Sequence, residues 1–172
     1  MKLYITIERL NKAVQTVQRE LYRMGFWSDE MAETEIYLIP AHVYHGYVHM
    51  SDGHIRIPAL SLSNIAEKLM NGRSVSLLDL VRHEYGHAYT YHHFDKVNTR
   101  RFEKAFGSSL EKAGEQSYDE DEHVTTYAAT DIYEDFAEIF RFFLKHRGKL
   151  PTRWQGKRGI EKRWVYLGGL GS

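Results

Sequence analysis

Leu3, Ile7, Leu10, Val14, Val17, Leu21 and Met24 recur at three- and four-residue steps, the spacing that lines one face of an α-helix, and Gly25 follows the run. A long amphipathic helix is predicted there, with packing as its task. Thr34–Pro40 (Thr-Glu-Ile-Tyr-Leu-Ile-Pro) has the β-branched and aromatic content of a strand. Gly46–Met50 and His54–Ile57 flank Ser51-Asp52-Gly53, a favourable turn, and predict a hairpin that completes a small sheet. A short helix is expected from Ser63 to Asn71, closed by Gly72. Ser76 with Asp79 three residues on resembles a capping box and opens a helix over about Leu77–Tyr91. Ile132, Phe136, Ile139, Phe140 and Phe143 form the apolar stripe of another, from Ile132 to about His146, which Gly148 and Pro151 stop. Three glycines among the last five residues predict a frayed tail. Helix, then sheet, then helices make an α+β layout, and without repeats or a Pro/Ser-rich linker residues 1–172 are expected to form one domain.

Composition narrows what such a domain does. The 172 residues are 42% hydrophobic, enough for a core that needs no structural metal, so a metal found here is expected to be functional. There is no cysteine, which removes disulfides, thiolate nucleophiles and Cys-based zinc sites together and leaves metal binding to ten histidines. No apolar run has the length of a membrane span and the first residues lack a signal-peptide hydrophobic region, so a cytoplasmic protein without membrane partners is expected. The 23 basic residues balance 23 acidic ones, which argues against a dedicated nucleic-acid binder. Charge is unevenly spread: ten acidic residues lie between Glu111 and Glu138, and nine basic ones between Arg141 and Arg163. Both segments are expected to be solvated surface. No recognised motif orders the basic residues with Trp154 and Trp164 into a nucleic-acid site.

The chemistry concentrates in Val81-Arg82-His83-Glu84-Tyr85-Gly86-His87-Ala88, an H-E-x-x-H segment within a predicted helix. Residues four apart on a helix differ by about 40° in rotation and about 6 Å in rise, so His83 and His87 can converge on one cation. Glu84, one step round, can reach a water there as a general base without having to coordinate. Catalytic zinc takes three protein ligands and keeps one position open, so a third ligand must come from elsewhere. His93 has the spacing of a metzincin third ligand, but Thr90 stands where that pattern has glycine and no methionine follows Met70. A continuing helix would also carry residue 93 about 9 Å along the axis from His87, and His92 meets the same objection. On the later helix Glu134 and Glu138 stand four apart on one face. Glu134 suits a ligand and Glu138 a carboxylate that orients a ligating histidine, although spacing alone does not separate the roles of Asp131, Glu134, Asp135 and Glu138.

His83-Glu84-Tyr85-Gly86-His87, Tyr127 and Glu134-Asp135-Phe136-Ala137-Glu138 together resemble a gluzincin of the lethal-factor-like and Pro-Pro endopeptidase group, and bacterial zinc-binding metallopeptidases with an E-D-F-A-E block. Arg101-Phe102 and Phe106-Gly107 add to the likeness with the bacterial group, which covers mainly residues 75–147. The resemblance implies a zincin-like fold, with a small mixed or antiparallel sheet, an active-site helix and a downstream glutamate helix. It implies that His83, His87 and Glu134 ligate Zn2+, that Glu84 is the base, that Tyr127 faces the oxyanion, and that Glu138 supports a ligand histidine. The expected activity is zinc-dependent hydrolysis of a peptide or protein substrate; the alternative is a non-catalytic zinc-binding regulatory module of the same fold. A hairpin strand at Gly46–Ile57 could pair with an extended substrate or serve only as scaffold. His42, His45, His49 and His54, among aromatics, are expected to be polar-face or cleft-lining residues.

Overall fold

The computed structural model describes residues 4–40, 46–48 (as backbone), 53–60, 75–112, 114 and 116–171. Helix α1 spans Ile7–Arg23 and α2 spans Asp29–Ala32. Strands β1 (Glu35–Ile39), β2 (Gly46–Val48) and β3 (His54–Pro58) follow. Then come α3 (Leu77–His92), α4 (Phe94–Val97), α5 (Arg100–Phe106), α6 (Ile132–Lys145) and α7 (Arg158–Leu170). The α+β layout holds and is mostly helical. The helix predicted at 63–71 and His42, His45 and His49 lie outside the described residues.

Local chemistry accounts for the helix ends. Thr6 caps α1 by accepting from the Arg9 amide, so the helix begins at Ile7, and Gly25 turns the chain out with φ +75°. Leu10, Ala13, Val17 and Leu21 form its buried stripe. Ser76 caps α3 through the Asp79 amide at 3.1 Å, and Asp131 caps α6 through the Tyr133 amide at 2.8 Å.

The sheet has the order β1-β3-β2. β2 and β3 pair antiparallel, Gly46 opposite Arg56 and Val48 opposite His54, as the predicted hairpin requires. β1 and β3 pair parallel, Glu35 opposite His54 through Ile39 opposite Pro58, so the sheet is mixed and the antiparallel alternative is corrected. Consecutive strands β1 and β2 thus lie on opposite edges, an ordering that alternation along one strand does not encode. Ile55 and Ile57 turn into the core, while Glu35 and Tyr37 face outward.

Two expectations are corrected. The glycine-rich end is not frayed: Ile160, Trp164, Leu167 and Leu170 bury one face of α7. Gly171 sits so close to Gly25 that a Cβ built on Gly25 would lie 1.8 Å from the Gly171 carbonyl oxygen. Nor are the oppositely charged segments simply solvated. Arg163, 1% exposed, donates from Nε to Asp135 at 2.9 Å and pairs with Glu122, while Lys157 reaches Glu120 at 3.4 Å. Buried arginines serve as counter-charges to the acidic segment within the fold. Among the described residues no helix is long and apolar enough to cross a membrane.

Candidate metal centre

Helix α3 is enclosed by α1, the sheet and α6, and Val81 to Thr90 are all buried. Much of that segment is polar: Arg82, His83, His87 and Thr90 have hydrogen-bond partners, whereas Glu84 Oε2 and the Tyr89 hydroxyl have none. Arg82 binds Glu20 of α1 through two 2.8 Å contacts and Asp79 at 2.8 Å, and Lys145 of α6 reaches Asp79 at 2.7 Å. These ion pairs tie α1, α3 and α6 together one residue before His83.

The approach of α6 to α3 depends on Gly86. A Cβ there would stand 2.9 Å from Ala137 Cα and 3.3 Å from Ala137 Cβ, so the two backbones meet at a distance only glycine opposite a small residue permits. That contact lies between His83 and His87 on one helix and between Glu134 and Glu138 on the other. Both carboxylates are thereby carried to the histidines.

The expected ligands converge. His83 Nε2 is 3.1 Å from His87 Nε2 and 3.1 Å from Glu134 Oε2, and His87 Nε2 is 3.4 Å from the same oxygen. His83, His87 and Glu134 form a group able to hold a metal ion. Their separations match the edge of a tetrahedron with ligand bonds of about 2.0–2.1 Å, which is about 3.3 Å. Glu134 Oε2 is buried without a hydrogen-bond partner although both imidazole nitrogens lie within 3.4 Å, and the two imidazoles meet each other at 3.1 Å, so the carboxylate oxygen is left for a cation to satisfy. Two imidazoles and one carboxylate suit a first-row transition ion better than magnesium or calcium.

Glu138 stands behind this group. His83 Nδ1–H donates to its Oε1 at 2.9 Å, which leaves Nε2 to face the centre. Its Oε2 accepts from Thr125 Oγ1 at 2.8 Å and from Arg141 Nη2 at 2.7 Å. Arg141 follows Glu138 by one turn and was legible as an i,i+3 partner, whereas nothing in the sequence marked Thr125.

Electrostatics follow from this crowding. Desolvation alone would lower the His83 pKa, but Glu134 and Glu138 at its two nitrogens, with Glu84 nearby, lift it to about 10. Burial would raise that of Glu134; the histidines outweigh it and hold the carboxyl well below the usual range. In the metal-free protein a proton thus supplies positive charge that a cation would otherwise bring.

Glu84 is 2% exposed, and its Oε2 is buried without a hydrogen-bond partner. Its charge is felt by both His83 and Tyr127. Tyr127 lies on a 3₁₀ turn, Tyr127–Thr130, half exposed, its ring centroid 5.9 Å from that of His83. Burial, then the charges of Glu134 and Glu84, push its phenol well above the ordinary value, so it stays a proton donor.

The remaining candidates are engaged elsewhere. His93 Nε2 meets Ser28 Oγ and His92 Nε2 meets Thr34 Oγ1, each at 3.0 Å, and α3 ends at His92. Asp131 is the cap of α6, and Asp135, 0% exposed, is the partner of Arg163, its carboxyl raised by burial to about 7. The four acidic residues at the start of α6 therefore separate into a cap, a candidate ligand, a core ion-pair partner and a carboxylate behind His83. No family model, no curated protein and no solved structure matches this chain.

Proposed function

We propose that the chain is a zinc-dependent peptidase of the gluzincin type with a zincin-like fold, cleaving peptide or protein substrates by attack of water on the scissile carbonyl. The observation that carries this is the Glu84 carboxylate: buried, with Oε2 unpartnered, next to a three-donor group. A purely structural metal site closes its fourth position and has no use for a base there, whereas hydrolysis needs both.

His83, His87 and Glu134 would hold the ion. Zinc bound there supplies a Lewis acid that brings the pKa of water towards about 7 and polarises a carbonyl. Glu84 accepts the proton of the attacking water and passes it to the departing amine nitrogen. Tyr127 donates its phenolic hydrogen to the carbonyl oxygen as negative charge builds, a role its raised pKa suits. Glu138 holds the His83 Nδ1 proton and keeps the ring oriented.

The test is Glu84→Gln, assayed with a quenched fluorescent peptide library. The variant should bind zinc as wild type does and lose at least about a hundredfold in cleavage rate. Undiminished cleavage would remove Glu84 as the base. A wild type that holds zinc tightly and cleaves nothing would assign the chain to the non-catalytic module instead.

A further inference from the structure

Thr125 performs two tasks with one hydroxyl. Oγ1 donates to Glu138 Oε2 at 2.8 Å and accepts the Ala128 amide at 3.2 Å. A hydroxyl has a single proton, so with the amide occupying a lone pair that proton is committed to the carboxylate. The Ala128 amide belongs to the 3₁₀ turn that opens at Tyr127, and Thr130 Oγ1 closes the turn on the Tyr127 carbonyl at 2.7 Å. At its other end Glu138 holds His83. Three hydrogen bonds, running through one hydroxyl, one carboxylate and one imidazole, therefore connect the turn under Tyr127 to the donor atoms of the metal centre.

We infer that Thr125 is a positioning residue: its hydroxyl locks the turn carrying Tyr127 to the carboxylate behind His83, so that phenol and ligand set keep one fixed relation. This rests on the peptidase proposal, because only there does Tyr127 have an oxygen to meet. Glu138 keeps Arg141 and His83 when Thr125 is changed. Loss of the hydroxyl should therefore disturb Tyr127 more than metal binding. A threonine that merely supports the loop would weaken the site equally whether or not residue 127 carries a phenol.

The experiment loads the protein with cobalt(II), reads metal binding from the visible d–d band, and titrates acetohydroxamate as a small carbonyl-like probe. Tyr127→Phe should weaken hydroxamate binding about tenfold, the worth of one hydrogen bond to a charged acceptor. Thr125→Val should give a similar loss of about tenfold, while Thr125→Ser, with the same donor and acceptor, should stay within about twofold of wild type. In the Tyr127→Phe background Thr125→Val should add less than about a further twofold. Thr125→Ala carries the same expectations should valine not be accommodated. Equal losses on both backgrounds, a flat Thr125 series, no effect of Tyr127→Phe, or failure of serine to restore binding would each overturn the coupling. A wild type without the d–d band would remove the metal centre itself and this inference with it, an outcome distinct from a loaded wild type with a flat series.

Discussion

Gly86→Ala tests what sets the distance between the two halves of the metal centre. The added Cβ would stand 2.9 Å from Ala137 Cα, 3.3 Å from Ala137 Cβ and 3.4 Å from Phe140 Cδ1. Carbon atoms pack best at about 3.5–4.0 Å, so α6 must retreat by about 0.6 Å or more at the crossing. Glu134 and Glu138 flank Ala137 and move with it, whereas metal sites tolerate errors of only about 0.2 Å in ligand distance. Zinc affinity should fall about 10–100-fold. Stability should change little by comparison. Alanine gains about 1 kcal/mol in helix propensity over glycine, and overpacking costs about 1–3 kcal/mol, for a net loss of about 0–2 kcal/mol. A domain stabilised by about 5–15 kcal/mol stays folded through that. The assay is competition against a chromogenic zinc chelator, with the thermal transition of the metal-free protein followed by circular dichroism. Adding Ala137→Gly should not restore affinity fully, because the nearest clash is with the Ala137 backbone. Wild-type zinc affinity in Gly86→Ala, with an unchanged transition, would refute the claim that this crossing holds the donors in place.

Other expectations follow from the same contacts. Zinc must displace the His83 proton, so apparent zinc affinity should rise about tenfold per unit from about pH 7 to pH 9 and level off near the His83 value of about 10; chelator competition across that range gives the slope, and a flat profile would contradict it. In the metal-free protein the raised His83 pKa contributes stability that is complete below its ordinary value near 6.5 and is lost as pH rises through about 10. Urea titrations should find that loss at alkaline pH. Arg163→Met leaves Asp135 buried without its partner and should cost about 3–5 kcal/mol in urea unfolding. A change within about 0.5 kcal/mol would mean that Arg163 is not the internal counter-charge described above.

What the sequence disclosed was local. Ser76, the i,i+4 histidines and the stripe from Ile132 to Phe143 lie on single helices, where 3.6-residue periodicity and one cap decide the outcome. Glu134 and Asp135 could not be told apart, because only the rotation of α6 against α3 turns one to the histidines and the other to Arg163. That rotation is a tertiary quantity. The parallel pairing of β1 with β3 is likewise long-range. Helices α5 and α7 also carry local signals in the sequence. Thr99 caps α5 through the Phe102 amide and Gly107 ends it with φ +82°, a complete start and stop signal. In α7 the stripe Ile160, Trp164 and Leu167 packs into the core despite the glycines after it, and a Cβ on Gly171 would lie 2.2 Å from the Met24 carbonyl oxygen. Thr125 carried no signal, since its bond to Glu138 forms only in the folded chain.

Zinc content decides whether His83, His87 and Glu134 hold a metal ion. Protein purified without affinity-tag metal should contain close to one zinc per chain by elemental analysis, and Glu134→Ala, folded by circular dichroism, should contain much less. No metal in the wild type, with no uptake on adding zinc, would mean that these residues hold none, and equal zinc in wild type and Glu134→Ala would mean that Glu134 is not a ligand.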